Sequence, residues 1–424
     1  MGIILTNIRP ISGGSAFSDA VNLRIEGDHI HTVSPDPIPP QPGDEIVDGR
    51  GRFAFPGFIN MHTHLPMVLF RGLADDVPLN VWLTEHIWPH EARLTPDDIY
   101  WCSLLAMAEL IRGGTIGFVD MYMSIDRMAY ATRESGLRGM LSYGIIADRM
   151  DEKGHSELAV AEQSVRACRE EGSSLVMGAL GPHAVYTCAE DVIRESVALA
   201  ESLDVPMHVH VSETRDEATS WREKTGESPV ETLARCGVFG RPTVAAHCVH
   251  VDEKDIEILA KHGVTVAHCP KSNGKLGSGI APIAQMKQAG VDVSIGTDGA
   301  ASNNRLDMFE EMRHACFFQR ARQEDPMLLA AADVLAMATE NGRKVFGLSS
   351  SVLDVGAEAD VVLVDSESAH LSPPHNGVSS LVYSASTADI TDVIVAGRFL
   401  LRNRELLTID EEKAKAEAER ALRR

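Results

Sequence analysis

The chain has 424 residues, with 39 basic and 61 acidic side chains and a formal charge of -22. A surface this acidic repels phosphate backbones and anionic lipid, which argues against nucleic-acid and membrane partners. The length suits a large α/β domain plus a smaller one. Seven cysteines without a CxxC pair fit a reducing compartment. The N-terminus lacks a basic segment followed by a long apolar one, and no run approaches transmembrane length, so the expected location is the cytoplasm.

The first fifty residues read as short strands with turns. Ile3 to Ile11, Ala20 to Glu26 and His29 to Val33 are such runs, with Gly27-Asp28 as a tight turn. The proline-rich stretch from Pro35 to Pro42 reads as a loop. From Phe53 the pattern changes to apolar runs alternating with longer amphipathic segments. The runs are Phe55 to Met61, Thr115 to Val119, Gly139 to Ile146, Leu175 to Leu180, Val205 to Val211, Thr243 to His247, Val264 to His268 and Val291 to Ile295. Helices are expected over Pro96 to Ile111, Ser156 to Glu171, Ala189 to Leu203 and Asp252 to His262. Strand-helix alternation repeated in this way predicts a (β/α)8 barrel. Strands return after Phe346, at Asp360 to Val364 and Ile390 to Val395, with a hairpin turn at Gly397-Arg398 and a final helix over Asp410 to Arg424. The expected organisation is a TIM-like barrel over residues 56–346 and a small β-sandwich domain built from both termini, residues 1–55 and 347–424.

An apolar run ends in His62-Thr63-His64. Strand side chains alternate faces, so residues i and i+2 point the same way. Both imidazoles can converge on one point, and neutral imidazole suits a zinc-like metal. Alone such a pair is weak evidence, since His29-Ile30-His31 and His208-Val209-His210 share the spacing. The rest of the set strengthens it: His210, Glu213, His247 and Asp298 stand at or just beyond the ends of other strand-like runs. Barrel enzymes place their chemistry at the C-terminal ends of the strands. His29 and His31 fall in the small β-domain without such company and read as a surface strand. His208 shares a face with His210 but sits deeper, where packing is the simpler reading. Cys248 and Cys269 flank strand ends and read as small buried residues.

At these residues the chain resembles the amidohydrolase superfamily, and within it the methylthioadenosine/S-adenosylhomocysteine deaminase family. The carrying segments are Pro56-Gly57-Phe58-Ile59-Asn60-Met61-His62-Thr63-His64, Arg71-Gly72-Leu73-Ala74-Asp75-Asp76, Trp88-Pro89-His90-Glu91, Gly181-Pro182-His183, His210-Val211-Ser212-Glu213-Thr214, His247-Cys248-Val249-His250 and Gly296-Thr297-Asp298-Gly299-Ala300-Ala301-Ser302-Asn303. The resemblance implies one divalent metal ion, with zinc expected first and Fe2+ or Mn2+ as alternatives, held by His62, His64, His210 and Asp298. Strand four, Leu175 to Leu180, has no lysine to bridge a second ion. The resemblance further implies that Glu213 protonates a purine ring nitrogen, that Asp298 accepts a proton from the attacking water, and that His247 orients the nucleophile. Glu91 would accept hydrogen bonds from ribose hydroxyls and His183 would contact the nucleoside. Ser302 is expected to hydrogen-bond near the site. Trp82 and Trp88 could line its mouth, although packing explains them equally. The implied partner is a small purine nucleoside, and the implied assembly a homo-oligomer.

One segment departs from the family. Members that accept S-adenosylhomocysteine carry arginines after strand three for its carboxylate. Here Tyr143 stands where the first is expected, with Arg149 or Lys153 as substitutes. This suggests a preference for neutral-tailed nucleosides. Competing readings are a deaminase of a free base or pterin, an s-triazine hydrolase, and an inactive barrel scaffold. Glu91 argues against the first, Glu213 against the second, and the full ligand set against the last.

Overall fold

The computed structural model describes residues 2–11, 19–169, 174–348 and 352–423. The chain opens with β1 (Gly2–Pro10), β2 (Val21–Glu26), β3 (His29–Ser34), β4 (Glu45–Asp48) and β5 (Arg52–Phe55). Eight strands follow: β6 (Phe58–Thr63), β7 (Thr115–Tyr122), β8 (Arg138–Ile145), β9 (Val176–Pro182), β10 (Met207–Val211), β11 (Thr243–His247), β12 (Thr265–His268) and β13 (Asp292–Ile295). The chain returns to strands at β14 (Val361–Asp365), β15 (Ile390–Val395), β16 (Arg398–Arg402) and β17 (Glu405–Leu406).

Strands β6 to β13 pair in parallel and in chain order, each overlapping one of the eight expected runs. Their near-continuous apolar composition follows from burial on both faces, with the lumen on one side and helices on the other. Every residue of β6, β7, β10 and β11 is buried. The last strand closes on the first through the segment beyond it. Asp298 N–H donates to the His62 carbonyl at 2.9 Å and Thr297 N–H to Asn60 Oδ1 at 2.9 Å. This approach needs Gly296, where a Cβ would meet His62 N at 2.7 Å.

The second sheet runs β17-β16-β15-β14-β5-β1-β2-β3, with β4 on β1. Leu23 and Ile25 of β2 share one apolar cluster with Ile394 of β15 and Phe399 of β16, although these strands are not neighbours along the path. The sheet therefore folds over on itself, and Ile30 N–H reaches the Ala357 carbonyl across the seam at 2.8 Å. Both termini contribute strands to this sandwich, as the sequence implied.

Several boundaries differ for identifiable reasons. The apolar run from Phe55 to Met61 is split at Pro56-Gly57, with Phe55 ending β5 and Phe58 beginning the barrel. Gly57 takes φ +79°, and a Cβ there would strike Ile116 at 2.4 Å. The helix expected from Ser156 begins at Glu152, because Asp151 caps it by accepting from the N–H groups of Lys153 and Gly154. Its last expected residues, 170 and 171, lie outside the described residues, as does Arg424 of the final helix. That final helix, Glu411–Leu422, packs on the barrel helix Pro96–Arg112, where Arg112 pairs with Glu411 at 2.5 Å. The expected hairpin turn falls one residue earlier, at Ala396-Gly397, since Arg398 already belongs to β16. No helix among the described residues is long and apolar enough to cross a membrane.

Candidate active site

The C-terminal ends of the barrel strands surround a cavity of about 410 Å³. His64, Glu91, His183, His210, Glu213, His247 and Asp298 all line it, and His62 lies directly beneath. The eight residues expected as ligands, acid-base groups and nucleoside contacts are therefore brought to one place. Trp82 and Trp88 also line the cavity.

Each ring of the histidine trio is oriented by its Nδ1. His64 Nδ1 contacts the Met121 carbonyl at 2.6 Å, and His210 Nδ1 contacts the His183 carbonyl at 3.0 Å. A carbonyl can only accept, so both Nδ1 atoms carry a proton, and each ring turns its Nε2 toward the other ligand atoms. His62 Nδ1 is engaged by His208 at 2.9 Å, while its Nε2 is buried without a hydrogen-bond partner. The ligand atoms of His62, His64 and His210 lie within 4.8 Å of one another. Asp298 Oδ1 lies 3.7 Å from His62 Nε2 and 3.3 Å from His64 Nε2. Burial drives the pKa values of His62 and His210 well down, with neighbouring imidazoles adding to the effect, so both rings stay neutral. Three imidazole nitrogens turned to one point and one carboxylate fit a divalent metal ion, and the orphaned buried His62 Nε2 is the atom that most needs one.

Asp298 sits on the loop after β13 with φ +62°, and His247 ends β11 with φ +73°. Left-handed backbone at a non-glycine residue costs about 1–3 kcal/mol and persists only where surrounding contacts hold it. Asp298 is held by three donors: Ser272 Oγ at 2.6 Å, Ser302 Oγ at 3.0 Å and Gly299 N–H at 2.7 Å. His247 Nδ1 accepts from Asn273 Nδ2 at 3.0 Å, which leaves the proton on Nε2, 3.8 Å from Glu213 Oε2.

The two site carboxyls are driven in opposite directions. Burial raises the pKa of Glu213 to about 8, and the Asp298 charge adds to the effect. Burial acts on Asp298 as well, but the His64 and His247 rings and its hydrogen bonds outweigh it and hold the carboxyl below its ordinary value. Beneath Glu213, the Glu217 carboxylate accepts from the N–H groups of Ser212 at 3.1 Å and Glu213 at 2.8 Å. It thereby fixes the turn that presents Glu213.

At the cavity wall, burial holds Glu91 above its ordinary pKa against the opposing effect of the Tyr122 hydroxyl. The His183 ring is tilted against that of His210, with centroids 4.6 Å apart, and burial lowers its pKa to about 4. Tyr143 and Lys153 reach the cavity, as does Glu157, which accepts from the Tyr143 hydroxyl at 3.3 Å. Arg149 does not line it and instead pairs with Asp148 and Asp151. The exposed His29 and His31 are on β3, and all seven cysteines, Cys248 and Cys269 among them, are buried free thiols.

Sequence reasoning missed Ser272, Asn273, Ser142 and Ser278, the last of which donates from its hydroxyl to Glu213 Oε1 at 3.5 Å. Ser272, Asn273 and Ser278 follow β12, whose C-terminal position was the only available signal.

Residues 53–400 match the amidohydrolase family. The chain belongs to that family, whose members are metal-dependent hydrolases. It is 50% identical to a 5-methylthioadenosine/S-adenosylhomocysteine deaminase of Desulforudis audaxviator over 90% of this chain and 89% of the relative. It is 45% identical to a 5'-deoxyadenosine deaminase of Methanothermobacter thermautotrophicus over 96% of both chains. Among solved structures, an adenosine deaminase from Xanthomonas campestris with bound zinc superposes with a TM-score of 0.92 at 34% identity, covering 100% of this chain and 98% of the other.

Proposed function

We propose that this amidohydrolase deaminates adenine nucleosides hydrolytically, giving the inosine analogue and ammonia. The observation that carries the reading is the opposed pair of carboxyls beside the histidine trio. One is kept protonated near neutrality and one is kept ionised, which is how a site separates its acid from its base. The names of the relatives, all adenine-nucleoside deaminases, support the same substrate class.

His62, His64, His210 and Asp298 would hold one divalent ion. Zinc is our assignment, given the zinc-bound relative and the imidazole-rich donor set, with Fe2+ and Mn2+ as alternatives. Such an ion lowers the pKa of water toward about 7, so that hydroxide is available near neutrality. Glu213 gives its proton to a ring nitrogen of the purine, and the adjacent carbon that bears the amino group becomes electrophilic. Asp298 takes a proton from the attacking water and returns it to the departing amine. His247, whose Nε2 carries the proton because Asn273 donates to its Nδ1, donates toward the oxygen added to that carbon. Collapse of the adduct releases ammonia, the added hydroxyl returns its remaining proton to Glu213, and a keto purine is left. Glu91 accepts from the ribose hydroxyls, and His183 packs beside the nucleoside. Tyr143 occupies the wall where an arginine would meet a tail carboxylate, and Lys153 shares that wall with the acidic Glu157. We therefore assign neutral-tailed substrates such as 5'-methylthioadenosine.

The test is an ultraviolet and ammonia-release assay of the zinc-loaded protein on methylthioadenosine, adenosine, 5'-deoxyadenosine, S-adenosylhomocysteine and guanine. Turnover of the adenine nucleosides but not of guanine is expected. Turnover of guanine alone would overturn the nucleoside reading.

A further inference from the structure

His208 is fully buried on β10, and neither of its ring nitrogens is idle. Its Nε2 lies 2.9 Å from His62 Nδ1, and its Nδ1 lies 3.1 Å from Ser142 Oγ. The Ser142 hydroxyl donates to the Asp120 backbone carbonyl at 3.0 Å. The row is thus His62, His208, Ser142, Asp120 carbonyl, spanning β6, β10, β8 and β7.

The protons in this row follow from its far end. A backbone carbonyl has no proton to give, so the Ser142 hydroxyl must donate to it. Ser142 Oγ is then left as the acceptor, and His208 Nδ1 must carry a proton. In a neutral ring the other nitrogen is bare, so His208 Nε2 must accept. His62 Nδ1 therefore carries its proton, and His62 Nε2 presents a bare lone pair to the point faced by His64 and His210. The opposite ordering would put a proton on His62 Nε2 and block it.

We propose that His208 and Ser142 are positioning residues that set the tautomer of His62, so that a backbone carbonyl on β7 determines which nitrogen of the buried ligand faces the metal. His64 and His210 need no such relay, because each meets a carbonyl directly. His62 lies deepest of the three, and its nearest partner is another imidazole, which can donate or accept. A third and a fourth group are required to remove that ambiguity. Partners that fix a ligand histidine's tautomer typically contribute 10–100-fold to metal affinity.

The inference rests on the reading of His62 as a metal ligand, and the test separates the two. Zinc affinity of the intact protein and its S142A, H208L and H208Q variants is measured by chelator competition. Nitrogen-15 spectra of the zinc-loaded, histidine-labelled protein report the tautomers. The expected spectra show His62 and His208 both protonated on Nδ1. S142A should weaken zinc binding about 10-fold and H208L more, whereas H208Q, whose amide oxygen can accept from His62, should recover most of the loss. S142A guards against misfolding, because it removes one atom without opening a large cavity. If the intact protein fails to bind zinc, the ligand reading itself falls. If zinc binds tightly but His208 is protonated on Nε2, or S142A and H208L bind within twofold of the parent, only the relay falls.

Discussion

His29-Ile30-His31 on β3 and His62-Thr63-His64 on β6 are the same pattern in two strands. In both, period-two alternation puts the rings on one face. The side chains of His29 and His31 are 52% and 62% exposed and meet Asp28 and Glu26. That of His62 is completely buried, and that of His64 is 12% exposed. The spacing decides only that two rings share a face. What makes the second pair a candidate for metal binding is the enclosure of the barrel mouth, a carbonyl or the proposed relay behind each Nδ1, and a third imidazole and a carboxylate opposite. His208-Val209-His210 makes the point within one motif. His210 faces its partners, while His208, two residues earlier, serves His62 from below.

The sharpest way to break this contrast is to remove one ring from each pair. H62A or H210A should lose bound zinc and lower kcat/KM by about 10³-fold or more, whereas H29A and H31A should change neither beyond twofold. Zinc content by atomic absorption, read beside the rate, checks this. Comparable losses in both pairs would erase the distinction.

Next in size is the acid. E213Q keeps zinc but should lower kcat by about 10²–10⁴-fold, the range of general acid catalysis. For the parent, kcat/KM should fall as pH rises past about 8, where Glu213 loses its proton, and that descending limb should vanish in E213Q. The same group has a stability consequence of known sign. The folded carboxyl, at about 8, holds its proton far above its ordinary value of 4.5. Between those values the folded state binds more protons than the unfolded one, so the contribution of Glu213 to stability falls as pH rises through the window. Metal-free E213Q should therefore melt higher than the metal-free parent at pH 8. Equal or lower melting would show that Glu213 is not held uncharged by burial.

Smaller effects come from the groups behind the site. N273A frees the Nδ1 of His247, and S272A removes one of three donors to Asp298. Each should lower kcat by about tenfold with little change in KM. An effect of the same size concerns the tail. Methylthioadenosine should exceed S-adenosylhomocysteine in kcat/KM by about tenfold, and comparable values would show that Lys153 outweighs Glu157 in the cavity.

The barrel and the strand-end residues could be read from the sequence because both depend on periodicity and on chain position alone. The apolar runs mark strands, and chemistry at their C-terminal ends marks the mouth. What escaped depends on three-dimensional neighbours. Ser272 and Asn273 are ordinary loop residue types, and their partners Asp298 and His247 are each 26 positions away. His208 looked like packing because its value lies in two contacts with other strands. Arg149 and Lys153 were equivalent as letters. The cap at Asp151 starts the helix early and carries Lys153 to the cavity, while the nearby acids Asp148 and Asp151 hold Arg149 away. The break at Pro56-Gly57 was hidden inside an unbroken apolar run, and only the second sheet reveals that Phe55 belongs elsewhere.

The most direct test of the central claim is a zinc titration of chelator-stripped protein, with methylthioadenosine deamination followed at each addition. The expected result is no activity without zinc and a linear recovery that breaks at one equivalent. Full activity in the stripped protein, or a break at two equivalents, would contradict a single-metal site built on His62, His64, His210 and Asp298.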